Sequence, residues 1–176
     1  GKEFRKVFIS RFENGLLVSA DYNQIELRLL AHLSGDQTMT DAFNSGEDIH
    51  TATAMQIFKL KKEDVTPQIR RNAKAVNFGI VYGITNVGLA QNTGLSRSEA
   101  QEYIRKYFEI YPAVKEYMDQ NVQFAKKFGY VQTIFNRRRK IPELKADNHQ
   151  ARMFGERAAK NMPLQGSASD IIKLAM

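Results

Sequence analysis

The chain contains no cysteine, which excludes disulfides, thiolate catalysis and cysteine-ligated zinc. Histidine is scarce too: there are 3, scattered over 176 residues. A histidine-based metal site is therefore not expected, and any metal would be held by oxygen, which favours magnesium or manganese. No apolar run approaches the ~20 residues needed to cross a bilayer, and Gly1-Lys2-Glu3-Phe4-Arg5-Lys6 is too polar to open a signal peptide. The expectation is a soluble, intracellular protein with no membrane partner. Repeats and low-complexity tracts are absent as well.

What is present is enough for one substantial core or two small ones, since 43% of the residues are hydrophobic. The formal charge is +7 and the isoelectric point is near 9.6, a balance that suits a polyanionic partner without requiring one. Its distribution says more. Arg137-Arg138-Arg139-Lys140 is a run of consecutive cations, and Arg70, Arg71 and Lys74 form a second cluster. Charge runs are ordinarily solvated faces, so these need a more specific companion.

Element signals alternate between the two periods. Lys6 to Ser10 and Leu16 to Ala20 read as two short strands joined by an Asn-Gly turn at Glu13-Asn14-Gly15. After Asp21-Tyr22 the period becomes helical, with Ile25, Leu29, Leu30 and Leu33 on one face and Ser34-Gly35 as the stop. Asn23 is the expected N-cap, with Glu26 at the third helical position as the other half of a capping box. From Thr38 to Gly94 the pattern is helical in short segments, punctuated by Gly46, by Lys59 to Asp64 and by Thr66-Pro67. Ser96 and Glu99 make a capping box for a helix to about Tyr111, and Pro112 opens another that ends at Gly129. Tyr130 to Phe135 alternates as a strand, with Arg138 to Pro142 as its return around Asn136-Arg137. A last helix is expected from His149 to Met162, broken by Pro163 and resuming from Ser167 to Met176. Ile171 to Met176 is still in mid-pattern without a cap, so the chain is expected to continue beyond it.

The most informative stretch is TPQIRRNAKAVNFGIVYG. At about 100° per residue, Ile69, Ala73, Val76 and Ile80 fall within roughly 60° of arc and form the core face. Arg70, Lys74, Phe78 and Tyr82 occupy an arc centred about 150° away, with Gly83 closing the run. Aromatics at helical spacing usually pack in a core. Here two cations and two rings share the side that faces away from it, offering charge for phosphates and flat surfaces for a base.

With Asp21-Tyr22-Asn23-Gln24-Ile25-Glu26-Leu27-Arg28 beside that helix, the chain closely resembles the polymerase domain of family A DNA polymerases, the bacterial DNA polymerase I group. In that family the first motif reads D-Y-S-Q-I-E-L-R and the second R-x3-K-x3-F-x3-Y-G. The similarity continues through Asp48-Ile49-His50, Thr133 with Asn136 to Arg139, and Asn161-Met162-Pro163 with Gln165-Gly166. The resemblance implies an α+β, mostly helical fold in which fingers helices are inserted in part of an antiparallel palm sheet. It divides the chain into palm over 1–37, fingers over 38–128 and palm return over 129–176. It also implies template-directed DNA synthesis: nucleotidyl transfer from a dNTP to a primer 3′-hydroxyl on two magnesium (or manganese) ions.

By resemblance Asp21 coordinates the metals with help from the Tyr22 backbone carbonyl. Gln24, Glu26, His50, Arg70, Lys74, Phe78 and Tyr82 bind the nucleotide, Glu26 by excluding a 2′-hydroxyl and Lys74 with a catalytic share. Gly83, Thr133, Arg137, Arg138, Arg139, Arg157, Asn161 and Gln165 meet the DNA, Gln165 through the minor groove, where a reader senses pair geometry. Primer-template DNA and dNTP are the implied partners, and the full-length protein is expected to be a cytoplasmic, nucleoid-associated bacterial monomer. Asn23 and Asn136 depart from the family Ser and Gly. Both changes are expected to be tolerated, the first as an equally good N-cap, the second because Asn accepts a left-handed turn. Gly79 and Gly83 are explained either by close approach of a ligand or neighbouring helix, or by a plain helix end at Gly83.

Nothing in the chain matches the third family motif, a His-Asp-Glu that carries the second metal-binding Asp. The isolated chain is therefore expected to be inactive in primer extension. The competing reading is a non-catalytic nucleic-acid-binding module, which predicts decay at Asp21, Lys74 or Tyr82; all remain.

Overall fold

A computed structural model describes Phe4 and residues 6–176. Its helices are α1 (Ile25–Ser34), α2 (Gln37–Asn44), α3 (Ile49–Phe58), α4 (Pro67–Val81), α5 (Asn86–Thr93), α6 (Arg97–Ile110), α7 (Pro112–Phe128) and α8 (His149–Ala175). Strands β1 (Tyr130–Gln132) and β2 (Arg138–Lys140) pair antiparallel between α7 and α8, with Val131 opposite Arg139. Short 3-10 turns at Lys62–Asp64 and Pro142–Lys145 complete the described elements. The fold is α+β and mostly helical. Among the described residues no helix is long and apolar enough to cross a membrane.

Most helix starts follow their cap chemistry. Thr66 accepts from the Ile69 amide with Pro67 in the first turn of α4, and Ser96 with Glu99 closes a reciprocal box on α6. Such caps occupy amide donors that the first turn leaves without helical partners. The larger core is built around Leu27 and Leu30 of α1, Val76 of α4, Tyr107 of α6 and Leu164 of α8. A smaller core beneath the hairpin joins Val122, Val131, Ile141 and Met162.

Three expectations fail for physical reasons. First, residues 6–20 contain no strand: the Asn-Gly turn forms, with Gly15 donating to the Phe12 carbonyl and Asn14 left-handed, but Phe8, Ile9, Leu16 and Val18 are exposed. An isolated two-stranded ribbon is marginal without a packed face, and none of the described sheet strands pairs with this segment. Second, Asn23 does not cap α1. The chain enters that helix through Gln24 in the left-handed region (φ 56, ψ 37), with no side-chain cap, and the Asn23 carbonyl accepts from Arg28 Nε at 3.1 Å. Glu26 thus lies in the second helical position and is free for another partner. Third, Pro163 does not break α8, which runs through it. Proline removes one amide donor and costs about 3 kcal/mol inside a helix, but Pro163 itself is buried, and the cores on either side of it, through Met162 and Leu164, hold both halves in line.

Candidate functional site

The N-terminal end of α1, the start of α3 and the outer face of α4 enclose a cleft of about 390 Å³. Asp21, Tyr22, Gln24, Glu26, His50, Arg70, Lys74 and Phe78 line it. Segments far apart in sequence are joined because α4 turns Ala73, Val76 and Ile80 into the core and leaves Arg70 and Lys74 exposed on its other side. The helical-wheel reading of α4 therefore holds for Ala73, Val76 and Ile80 on one side and Arg70 and Lys74 on the other, while Ile69 and Phe78 are half-buried and Tyr82 is the exposed C-cap.

The rings on that face are ordered. Phe78 and Tyr82 lie nearly parallel, 6.5 Å between centroids at 12°, and Lys74 Nζ sits 5.7 Å from the Phe78 centroid. Such a contact holds the ammonium near the ring without neutralising it. The Tyr82 hydroxyl donates to Glu26 Oε2 at 2.9 Å. Burial, then the Glu26 bond, raises the Tyr82 hydroxyl above its ordinary value, so it keeps the proton it donates at neutral pH. Tyr82 faces a second groove, with Ala75, Gly79, Gly83 and Arg157, and the Glu26 bond links that groove to the cleft.

His50 is 2% exposed. Asn77 Nδ2 lies 3.0 Å from its Nδ1 and, as a donor, puts the ring proton on Nε2. Gln24 Nε2 lies 3.5 Å from the ring Nε2; with the proton on that ring nitrogen both groups are donors, so this is a contact and not a hydrogen bond. Asn77 Nδ2 also donates to Thr53 Oγ1 at 3.1 Å, 3.1 Å from which lies the Tyr111 hydroxyl. Burial pushes His50 down to about 4, with Asp48 opposing and Arg70 and Lys74 adding to the shift. The ring is neutral at physiological pH, so it offers one N–H and not a charge.

Arg70 is already engaged. Its Nε donates to Asp48 Oδ2 at 2.8 Å and its NH2 to Asp48 Oδ1 at 2.9 Å. Asp48 also caps α3, accepting from the Thr51 amide at 2.9 Å and the Thr51 hydroxyl at 2.7 Å. Burial alone would raise this carboxyl, but the bonds from Arg70 and Thr51 outweigh it and hold it at about 2.

The glycines of α4 have local explanations. A Cβ on Gly79 would come within 2.5 Å of Ile84 Cγ2, so the close neighbour is the following turn of the chain. Gly83 ends the helix at φ +66 and lies over Arg157, whose Cγ would be 3.2 Å from an added Cβ.

Arg157, Asn161 and Gln165 recur at four-residue spacing on α8 and so share a face; Arg157 and Gln165 are exposed and Asn161 half-buried. The basic hairpin divides. Arg138 lies over the Tyr130 ring at 4.6 Å and, like Arg139, is exposed. Arg137 instead braces the hairpin on α8, through Asp170 Oδ1 at 2.8 Å and the Gly166 carbonyl at 2.9 Å. Thr133 is buried, and its hydroxyl oxygen accepts from the amides of Phe135 and Arg137. Asn136 takes the left-handed turn at φ 61.

Sequence reasoning gave no role to Asp48, beyond its place in the Asp48-Ile49-His50 match, and none to Asn77. Asp48 carries a visible cap signal, but its partner is 22 residues away. Asn77 is a polar residue at a buried position of an otherwise amphipathic helix, a mismatch that points to a partner. Asp21 and the Tyr22 carbonyl offer oxygen donors of the kind magnesium takes. Among the described residues, however, no group of three or more His, Asp or Glu side chains comes together, so the described residues do not by themselves fit a two-ion centre.

The profile of DNA polymerase family A matches residues 1–176. DNA polymerase I of Lactococcus lactis subsp. lactis is 55% identical over 177 residues, covering 100% of this chain and 20% of that protein. DNA polymerase I of Geobacillus stearothermophilus is 53% identical over 176 residues, with 100% and 20% covered. The chain spans about a fifth of the length of these curated relatives. Among solved structures it is similar to the POL domain of Pol1 from M. smegmatis in complex with DNA primer-template and dNTP, with a TM-score of 0.83 and 46% identity over 88% of this chain and 27% of that one.

Proposed function

The chain belongs to DNA polymerase family A, and from that premise we propose that it carries the nucleotide-binding part of a DNA-directed DNA polymerase. The observation that carries this reading is the cleft itself: Arg70, Lys74, Phe78 and His50 meet Asp21 and Glu26 across one opening. Arg70 and Lys74 take the triphosphate as charge-assisted donors, His50 adds a neutral Nε2 donor, and Phe78 packs against the sugar and base. Glu26, held by Tyr82, blocks the place of a 2′-hydroxyl and selects deoxynucleotides.

Around this pocket the proposed division is palm over 1–37, fingers over 38–128 and palm return over 129–176. Arg157, Asn161 and Gln165 follow the template and primer, as Arg138 and Arg139 follow the duplex backbone. Magnesium, when bound, supplies Lewis-acid stabilisation and activation of the 3′-hydroxyl. The share of this chain is to bind and orient the nucleotide, with Asp21 as one carboxylate of a centre that needs more. Primer-template DNA and dNTP are the proposed partners.

The test is calorimetric titration of the chain with dATP and with ATP. Binding of dATP that is lost in Lys74→Ala, with weaker binding of ATP that Glu26→Ala restores, supports the reading. A chain that binds neither nucleotide, or binds both equally through residues outside the cleft, overturns it.

A further inference from the structure

Asp48 stands behind the cleft. It does not line it; it lines the neighbouring groove with Ser45, Glu47, Thr51 and Lys62, while Arg70, its partner, lines the cleft. The guanidinium has five N–H donors in a fixed plane. Asp48 takes one from Nε and one from NH2, which occupies one edge of the fork. The adjacent, end-on edge, formed by NH1 and the second hydrogen of NH2 and set about 120° from the first, remains a complete two-pronged donor. Asp48 is itself fixed, because its oxygens also take the amide and hydroxyl of Thr51 at the start of α3.

We propose that Asp48 is a positioning residue for the triphosphate: it anchors Arg70 by one edge to the start of α3 so that the other edge is presented, pre-oriented, to the phosphates. The idea rests on the nucleotide-binding reading above. It differs from a lock that the ligand must break, since Arg70 can hold carboxylate and phosphate together. Arg70 is long, flexible and 44% exposed in its side chain. Without an anchor, its rotamers would have to be ordered on binding, and the bidentate geometry would be sampled only part of the time.

The sign of the mutational effect separates positioning from simple charge. Asp48 is an anion held at full charge close to where a polyanion is to bind. On charge alone, removing it tightens binding of a triphosphate; if it positions Arg70, removing it weakens binding. Asp48→Asn is the useful variant, because Asn keeps a cap acceptor for the Thr51 amide and so preserves the start of α3.

The experiment titrates the whole chain with dATP and with inorganic tripolyphosphate, for the unaltered protein, Asp48→Asn, Arg70→Ala and the double variant. The expected result is a rise in Kd of about 5- to 10-fold for Asp48→Asn with both probes. That loss disappears in the Arg70→Ala background, where there is no fork to position. The Arg70 Nε–H resonance, slow to exchange in the unaltered chain, becomes fast in Asp48→Asn. Equal or tighter binding by Asp48→Asn overturns the proposal and leaves the nucleotide reading standing. The same loss in the Arg70→Ala background also overturns it, by showing a general structural effect. An unaltered chain that binds neither probe overturns both.

Discussion

Acid should find this molecule first at His50. The imidazole has an ordinary value of 6.5 and is held at about 4 in the folded chain, so between these values the unfolded state takes a proton that the native state refuses. Stability contributed by the neutral ring is complete above pH 6.5 and is lost as the pH falls towards 4. Linkage gives a loss of about 2 kcal/mol at pH 5 and about 3 kcal/mol once the pH is below both values. That is a large share of the ~5–15 kcal/mol of a typical domain. The cause is local: the ring is 2% exposed, its Nδ1 accepts from Asn77, and protonating it would turn an acceptor towards a donor. The assay is urea unfolding at pH 7.5 and pH 5.0 for the unaltered chain and for His50→Gln, whose amide oxygen can still accept from Asn77. The unaltered chain should lose about 2 kcal/mol more than the variant on acidification. The ring nitrogens, followed by NMR, should report the neutral Nε2–H tautomer at pH 5.5. Equal losses in the two proteins, or a His50 that titrates at 6.5 or above, would refute the reasoning.

Gly79→Ala should destabilise the chain by about 1–2 kcal/mol despite alanine's better helix propensity, because the new methyl meets Ile84; a lowered urea midpoint that Ile84→Ala partly restores is the expected signature. Lys74→Ala should weaken dATP binding at least about 10-fold while lowering the urea midpoint only slightly, since the ammonium is exposed and its contact with Phe78 is worth at most ~0.5–1 kcal/mol. The purified chain, given magnesium and a primer-template, should extend no primer, because Asp21 alone makes a poor two-ion site; any template-dependent incorporation that Asp21→Ala abolishes would contradict this.

The helical parts of the fold are legible where local chemistry decides them. Thr66-Pro67, Ser96 with Glu99, and the stop at Gly129 act within one turn, and the elements they bound are found where they are expected. The two faces of α4 are legible for the same reason, as helical geometry follows from spacing. What is not legible depends on partners distant in sequence. The apolar stretches of residues 6–20 carry a strand pattern, but a strand is a relation between segments. Pro163 carries a breaker signal that the packing of Met162 and Leu164 overrides. Around the cleft and the adjoining groove, spacing brings out Arg70, Lys74, Phe78 and Tyr82, while the bonds from Arg70 to Asp48 and from Asn77 to His50 cross 22 and 27 residues. Glu26 illustrates both sides: its place at the start of a helix suggests a cap, and only the fold brings Tyr82 to it across 56 residues.

The proposed function requires the outer face of α4 and the start of α1 to form one nucleotide pocket. Titrating dATP into the isotopically labelled chain, and following backbone and side-chain resonances, measures this in a single experiment. The prediction is saturable shifts at Gln24, Glu26, His50, Arg70, Lys74 and Phe78, with the core around Tyr107 and Val114 unmoved. Saturable shifts centred instead on the basic hairpin of Arg138 and Arg139, with Lys74 and Phe78 unchanged, would contradict it.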